Sequence, residues 1–64
     1  MRELLIKYRG KRSQKVMAEK YGVSQQTWSF WESGKATPSP AMMKRIATDS
    51  KKPMEKIFFD AFNQ

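Results

Sequence analysis

The sequence predicts an all-α fold, a compact bundle of five short helices, and three observations carry that expectation. Apolar residues recur at helical spacing, as in Met17, Ala18 and Tyr21, or Trp28 and Trp31, and no stretch alternates as a strand would. Serines stand just before three of the periodic stretches, at Ser13, Ser24 and Ser39, where a hydroxyl accepts from the free N–H groups of a first helical turn. Gly10, Gly22 and Gly34 close three of them, the residue best suited to the left-handed backbone at a helix end.

The elements follow in order. Arg2 to Arg9 carries Leu4, Leu5 and Tyr8 as an apolar stripe, ended by Gly10. Ser13 caps a second helix, Gln14 to Lys20, and Ser24 caps a third that runs to about Ser33. Gly34 to Pro38 reads as a loop. Ser39-Pro40 starts a fourth helix, since the fixed φ of proline suits the first helical position; Met43, Ile46 and Ala47 point inward and the pattern decays by Ser50. Pro53 opens a fifth with Met54, Ile57 and Phe58 as its apolar face, and the tail after Asp60 is expected to fray. The expected core is Leu5, Tyr8, Met17, Ala18, Tyr21, Val23, Trp28, Trp31, Met43, Ile46 and Ile57.

With 64 residues the chain is expected to form one domain over 1–64, near the lower size limit for folding unaided. It has no cysteine and no histidine, which excludes disulfides, thiolate metal sites and imidazole catalysis within it. The carboxylates are scattered, so neither a metal cluster nor a nucleophile–base pair can be assembled; an enzyme is rejected and no cofactor or metal is expected. No apolar run approaches the roughly 20 residues of a membrane span and no signal-peptide core follows the N-terminus, so a soluble, cytoplasmic protein is expected.

Thirteen Lys and Arg against six Asp and Glu give a formal net charge of +7, and a polyanion, nucleic acid above all, is the expected partner. Seven of the thirteen basic residues fall within the first twenty positions.

The segment 14–33 is the most informative part of the chain. Two short helices joined by a tight turn hold the second proud of the surface, so that its first turn can enter a DNA major groove. Gln25 and Gln26 occupy that turn, and a glutamine amide both donates and accepts, matching N6 and N7 of adenine. As isolated residues they would read as ordinary helix surface; within this two-helix unit base reading is preferred. Trp28 and Trp31 are assigned to the core. Phe30 admits two readings, a half-buried rim residue or a contact to a thymine methyl or sugar edge. Phosphate contacts are expected from Gln14 and Ser24 at helix starts, where the helix dipole favours an anion, from Lys35 and Thr37 beyond the third helix, and from Lys11 and Lys15 around the entry to the second. Arg12 joins that basic entry or lies flat over the core with its charge in solvent. Phe58, Phe59 and Phe62 exceed what so small a core hides, which marks 53–62 as a candidate dimer seam or partner surface.

The string SQKVMAEKYGVSQQTWSFWESGKATPS resembles the Xre family, the helix-turn-helix domains of phage repressors and Cro proteins. Ser13-Gln14, Ala18, Gly22-Val23-Ser24, Glu32, Gly34-Lys35 and Pro38 stand where that pattern has them, and the segment Lys52 to Phe59 resembles the fifth helix of its small members. The resemblance implies a five-helix, lambda-repressor-like domain that binds an inverted-repeat operator in double-stranded DNA as a homodimer, regulates transcription and resides with the nucleoid. It places Gln25, Gln26, Ser29 and Phe30 at base-reading positions and Gln14, Ser24 and Lys35 at phosphates. It also supplies a salt bridge between Arg9 and Glu32, since a lone inward carboxylate is costly. Three positions depart from the pattern: Arg12 stands where an apolar residue is common, Phe30 where a polar reader is common, and Ser50 where a bulky apolar residue closes the fourth helix. An antitoxin-like or adaptor role, with a protein as main partner, is the alternative.

Overall fold

The computed structural model describes residues 1–62, so the last two positions of the expected 1–64 domain, and of its expected frayed tail, lie outside the described residues. The helices are α1 (Glu3–Arg9), α2 (Gln14–Tyr21), α3 (Gln25–Ser33), α4 (Pro40–Ser50), α5 (Met54–Ile57) and α6 (Phe59–Phe62). Among the described residues there is no strand.

The serine caps act locally. Ser13, Ser24 and Ser39 accept from the backbone N–H of Val16, Thr27 and Met42 at 3.0, 3.1 and 3.2 Å. Each such cap is worth about 1 kcal/mol. Gly22 (φ 71°) and Gly34 (φ 89°) take the left-handed conformation that stops α2 and α3. Nothing lies within 4 Å of a Cβ built on Gly22, so backbone conformation rather than space makes glycine the suitable residue in this turn. Lys51 adopts the same conformation (φ 58°) at the end of α4 without that freedom.

The core gathers Leu5 from α1, Met17, Ala18 and Tyr21 from α2, Trp28 and Trp31 from α3, Met43 and Ile46 from α4, then Ile57 and Phe58. The Tyr21 ring stacks on Trp28 with centroids 5.5 Å apart and planes 11° from parallel, and Trp31 tilts against Trp28 at 5.8 Å. Small Ala18 of α2 is buried in the same core.

Several expectations need correction. The C-terminal segment is two helices, not one, and the described residues therefore hold six helices rather than five. Phe58 leaves helical geometry (φ −113°, ψ 44°) between α5 and α6. In an unbroken helix, residues 58 and 62 would share one face; the break buries Phe58 completely and leaves Phe59 and Phe62 about half exposed. Phe58 thus belongs to the core and not to a partner surface. α6 carries the chain to Phe62, with the Ala61 N–H donating to the Phe58 carbonyl at 2.9 Å. Tyr8 and Val23, assigned to the core, are half-buried and pack on its edge. The Tyr8 hydroxyl reaches that of Tyr21 (2.7 Å), while Arg12 covers the ring from the solvent side.

Candidate nucleic-acid interface

The first turn of α3 presents Gln25 and Gln26 to solvent, directly after the Ser24 cap. Neither side-chain amide is engaged by another of the described residues. One turn on, Ser29 and Phe30 are half-buried, and the Lys35 ammonium lies 5.4 Å from the Phe30 ring centroid. Phe30 is thus half-buried with a cation over its ring.

Buried Glu32 holds α3 at this angle. One carboxylate oxygen accepts from Arg9 Nε (2.6 Å) and Trp28 Nε1 (2.6 Å), the other from Gln14 Nε2 (2.9 Å) and Arg9 Nη2 (3.3 Å). One side chain therefore joins α1, α2 and α3. Burial pushes the Glu32 carboxyl upward, but hydrogen bonds from Arg9, Gln14 and Trp28 outweigh it and hold the group below the usual carboxylate range. Arg9 also donates to the Arg12 carbonyl (3.0 Å).

The expected phosphate-contacting residues divide into two sets. Lys11, Lys15 and Lys35 are exposed, as is Ser24, although its hydroxyl is already used as the α3 cap and as a donor to Thr27 Oγ1 at 2.8 Å. Gln14, half-buried, and Thr37, exposed, each make one side-chain hydrogen bond within the domain. The Gln14 amide donates one of its two N–H groups to Glu32. Thr37 Oγ1 accepts from Arg2 Nη2 at 2.8 Å. Arg12 lies over Tyr8, its guanidinium carbon 5.1 Å from the ring centroid, and donates to the Tyr8 and Arg9 carbonyls at the end of α1.

A family model described as "Helix-turn-helix" matches residues 1–49, most of the chain. The chain belongs to the Xre/Cro-type helix-turn-helix family. No curated protein and no solved structure matches it. The family is one of DNA-binding domains, and double-stranded DNA is the partner it indicates.

In this helix-turn-helix domain α2 and α3 are the paired helices, and α5 and α6 lie beyond the matched stretch. Among the described residues no group of acidic side chains is arranged to hold a metal, and no helix is long and apolar enough to cross a membrane. The side chain that sequence reasoning missed is Arg2. It is 1% exposed and pairs with Asp60 at 2.9 Å, 58 positions along the chain. An arginine beside the N-terminus and an aspartate near the far end give no local signal of each other. A second polar link missed in the sequence runs from Tyr8 through Tyr21 to Asp49, whose carboxylate accepts from the Tyr21 hydroxyl at 2.8 Å. Burial first, and then these two hydrogen bonds, push the Tyr21 hydroxyl well above the ordinary tyrosine range.

Proposed function

We propose that this domain is a sequence-specific transcriptional regulator of the repressor or Cro type, reading the major groove with α3 and binding an inverted repeat as a homodimer. The observation that carries this reading is the pair of unengaged, exposed amides of Gln25 and Gln26 on the first turn of a helix anchored from behind by Glu32 and two indoles. Each bidentate amide–adenine pair would supply about 1–3 kcal/mol of discrimination. Ser29 and Phe30, both half-buried one turn on, complete the reading face. Lys35, Lys11, Lys15, the Ser24 cap and the N–H groups at Gln14 grip the phosphates. A regulator of this kind works in the cytoplasm, at the nucleoid.

Selection of bound duplexes from random DNA tests the proposal. An inverted repeat should emerge, with half-sites about one helical turn apart (roughly 34–36 Å). Gln25→Ala and Gln26→Ala should flatten the preference at one position per half-site and leave nonspecific binding intact. Equal losses on every sequence would refute base reading.

One observation favours a second reading, an antitoxin-like or adaptor role. Phe59 (47% exposed) and Phe62 (49%) stand three apart on α6, each about half open to solvent. An adaptor would bind DNA weakly by itself and co-purify with a protein partner, whereas a regulator dimerises and binds alone.

A further inference from the structure

Arginine is almost never fully buried unless it is paired, and Arg2 meets that condition with every donor it has. Nε and Nη2 donate to the two Asp60 carboxylate oxygens at 2.9 and 3.0 Å, a bidentate pair. Nη1 donates to the Trp31 carbonyl (2.9 Å) and the Ala36 carbonyl (2.7 Å), and Nη2 also to Thr37 Oγ1 (2.8 Å). The five N–H groups of the guanidinium are thereby used up. The backbone N–H of Arg2 donates to the Glu32 carbonyl at 2.8 Å, so residue 2 serves two carbonyls in the last turn of α3 that the helix leaves unpaired.

These acceptors surround one short stretch of chain. The loop leaving α3 is held on one side by the Phe30 carbonyl, which accepts from Gly34 and Ala36 N–H at 3.0 and 3.3 Å. It is held on the other by Arg2 at Ala36 and Thr37, and a Cβ on Gly34 would lie 3.7 Å from Asp60 Oδ2. Lys35 emerges between the two sets of contacts, exposed, over Phe30. The hydrogen bond from Arg2 holds the Asp60 carboxyl below the usual range, so the pair stays charged at neutral pH.

We propose that Arg2, oriented by Asp60 of α6, is the positioning residue for loop 34–38, so that the end of the chain sets where Lys35 meets the DNA backbone. The proposal rests on the reading of Lys35 as a phosphate contact. It goes beyond the family pattern, because Asp60 lies outside the matched residues 1–49.

Asp60→Asn is the informative variant, because it keeps the size of the side chain and one oxygen for Arg2 while removing the charge, and the Asp60 side chain is 40% exposed. Binding to a mixed-sequence DNA duplex is followed by fluorescence anisotropy over a salt series, with circular dichroism confirming the fold. Removing an acid from the protein should strengthen binding to a polyanion, and a purely structural role leaves that sign unchanged. Mispositioning of Lys35 predicts the reverse: affinity about three- to tenfold weaker at low salt, and a log–log salt slope shallower by about one. The Ala36 amide should exchange with solvent about tenfold faster while α2 amides keep their rates. Asp60→Glu, which retains the carboxylate, should recover most of the affinity, and Asp60→Asn should cost nothing further in a Lys35→Ala background. Equal or tighter binding by Asp60→Asn, with unchanged Ala36 exchange, would overturn the proposal. Should Lys35→Ala keep the parent slope, the phosphate reading fails first and the positioning role falls with it.

Discussion

Replacing Glu32 by glutamine keeps the shape of the side chain and removes the charge on which α1, α2 and α3 converge. Each carboxylate oxygen of Glu32 accepts two hydrogen bonds, and the residue is 3% exposed. An amide has one accepting oxygen. Its cheaper orientation keeps that oxygen toward Arg9 Nε and Trp28 Nε1 and turns its NH2 toward Gln14, whose own amide can flip to accept it. What is lost is the bond from Arg9 Nη2 and the charge assistance of the rest. Removing one partner of a buried ion pair costs about 3–5 kcal/mol, and the Arg9 side chain, 23% exposed, recovers some water. The expected loss is therefore about 2–3 kcal/mol. A domain of this size has roughly 3–10 kcal/mol in total. Urea unfolding followed by the fluorescence of Trp28 and Trp31 reads the change directly, and the melting temperature should fall by roughly 8–24 °C. A Glu32→Gln variant within about 1 kcal/mol of the parent at pH 7 would refute the view that this carboxylate holds the three helices together.

The same pair fixes a pH dependence. The Glu32 carboxyl is held below its unfolded value, so its contribution is fully present above the ordinary carboxylate range, about pH 4.3, and is lost as pH falls through the lower folded value. The stability gap between parent and Glu32→Gln should narrow on acidification; a gap constant from pH 7 to the acid limit would count against it. Trp28→Ala removes a fully buried indole stacked on Tyr21, and its cost of about 3–5 kcal/mol should leave little folded protein; a parent-like melt would take Trp28 out of the core. Lys51→Gly relieves a left-handed backbone at the end of α4 and should stabilise by about 0.5–1 kcal/mol in urea titration, whereas destabilisation would show that Lys51 is held there by something beyond its backbone. Phe59→Ser with Phe62→Ser separates the two uses of this surface. Loss of self-association in sedimentation, with the melt of the monomer intact, would make it the seam of the proposed homodimer, and an unchanged dimer would leave it to a different protein partner.

Much of this molecule can be read from residues within four positions of one another. A serine hydroxyl caps the N–H three residues on, a glycine ends a helix by its own φ, and two indoles three apart face the same side. Such signals need no knowledge of the rest of the chain, which is why α1 to α4, most of the core and the exposure of Gln25 and Gln26 were legible in the amino-acid sequence. The Glu32 position could be tied to Arg9 through resemblance to the family alone, because 23 positions separate them.

The tertiary structure alone decided the rest, and in each case the partner is remote or the backbone departs from regularity. The bonds from the Gln14 amide to Glu32 and from Arg2 to the Thr37 hydroxyl join residues 18 and 35 positions apart. Phe58 looks surplus until a break in the helix turns its ring inward beneath the Arg2 guanidinium, 5.2 Å from the ring centroid. Arg2 itself carries no local pattern: a basic residue at a chain start reads as solvated. Only the return of α6 to the N-terminus, beside the unpaired carbonyls of α3, supplies five acceptors for it at once, and that proximity is a property of the packed bundle rather than of any stretch of sequence.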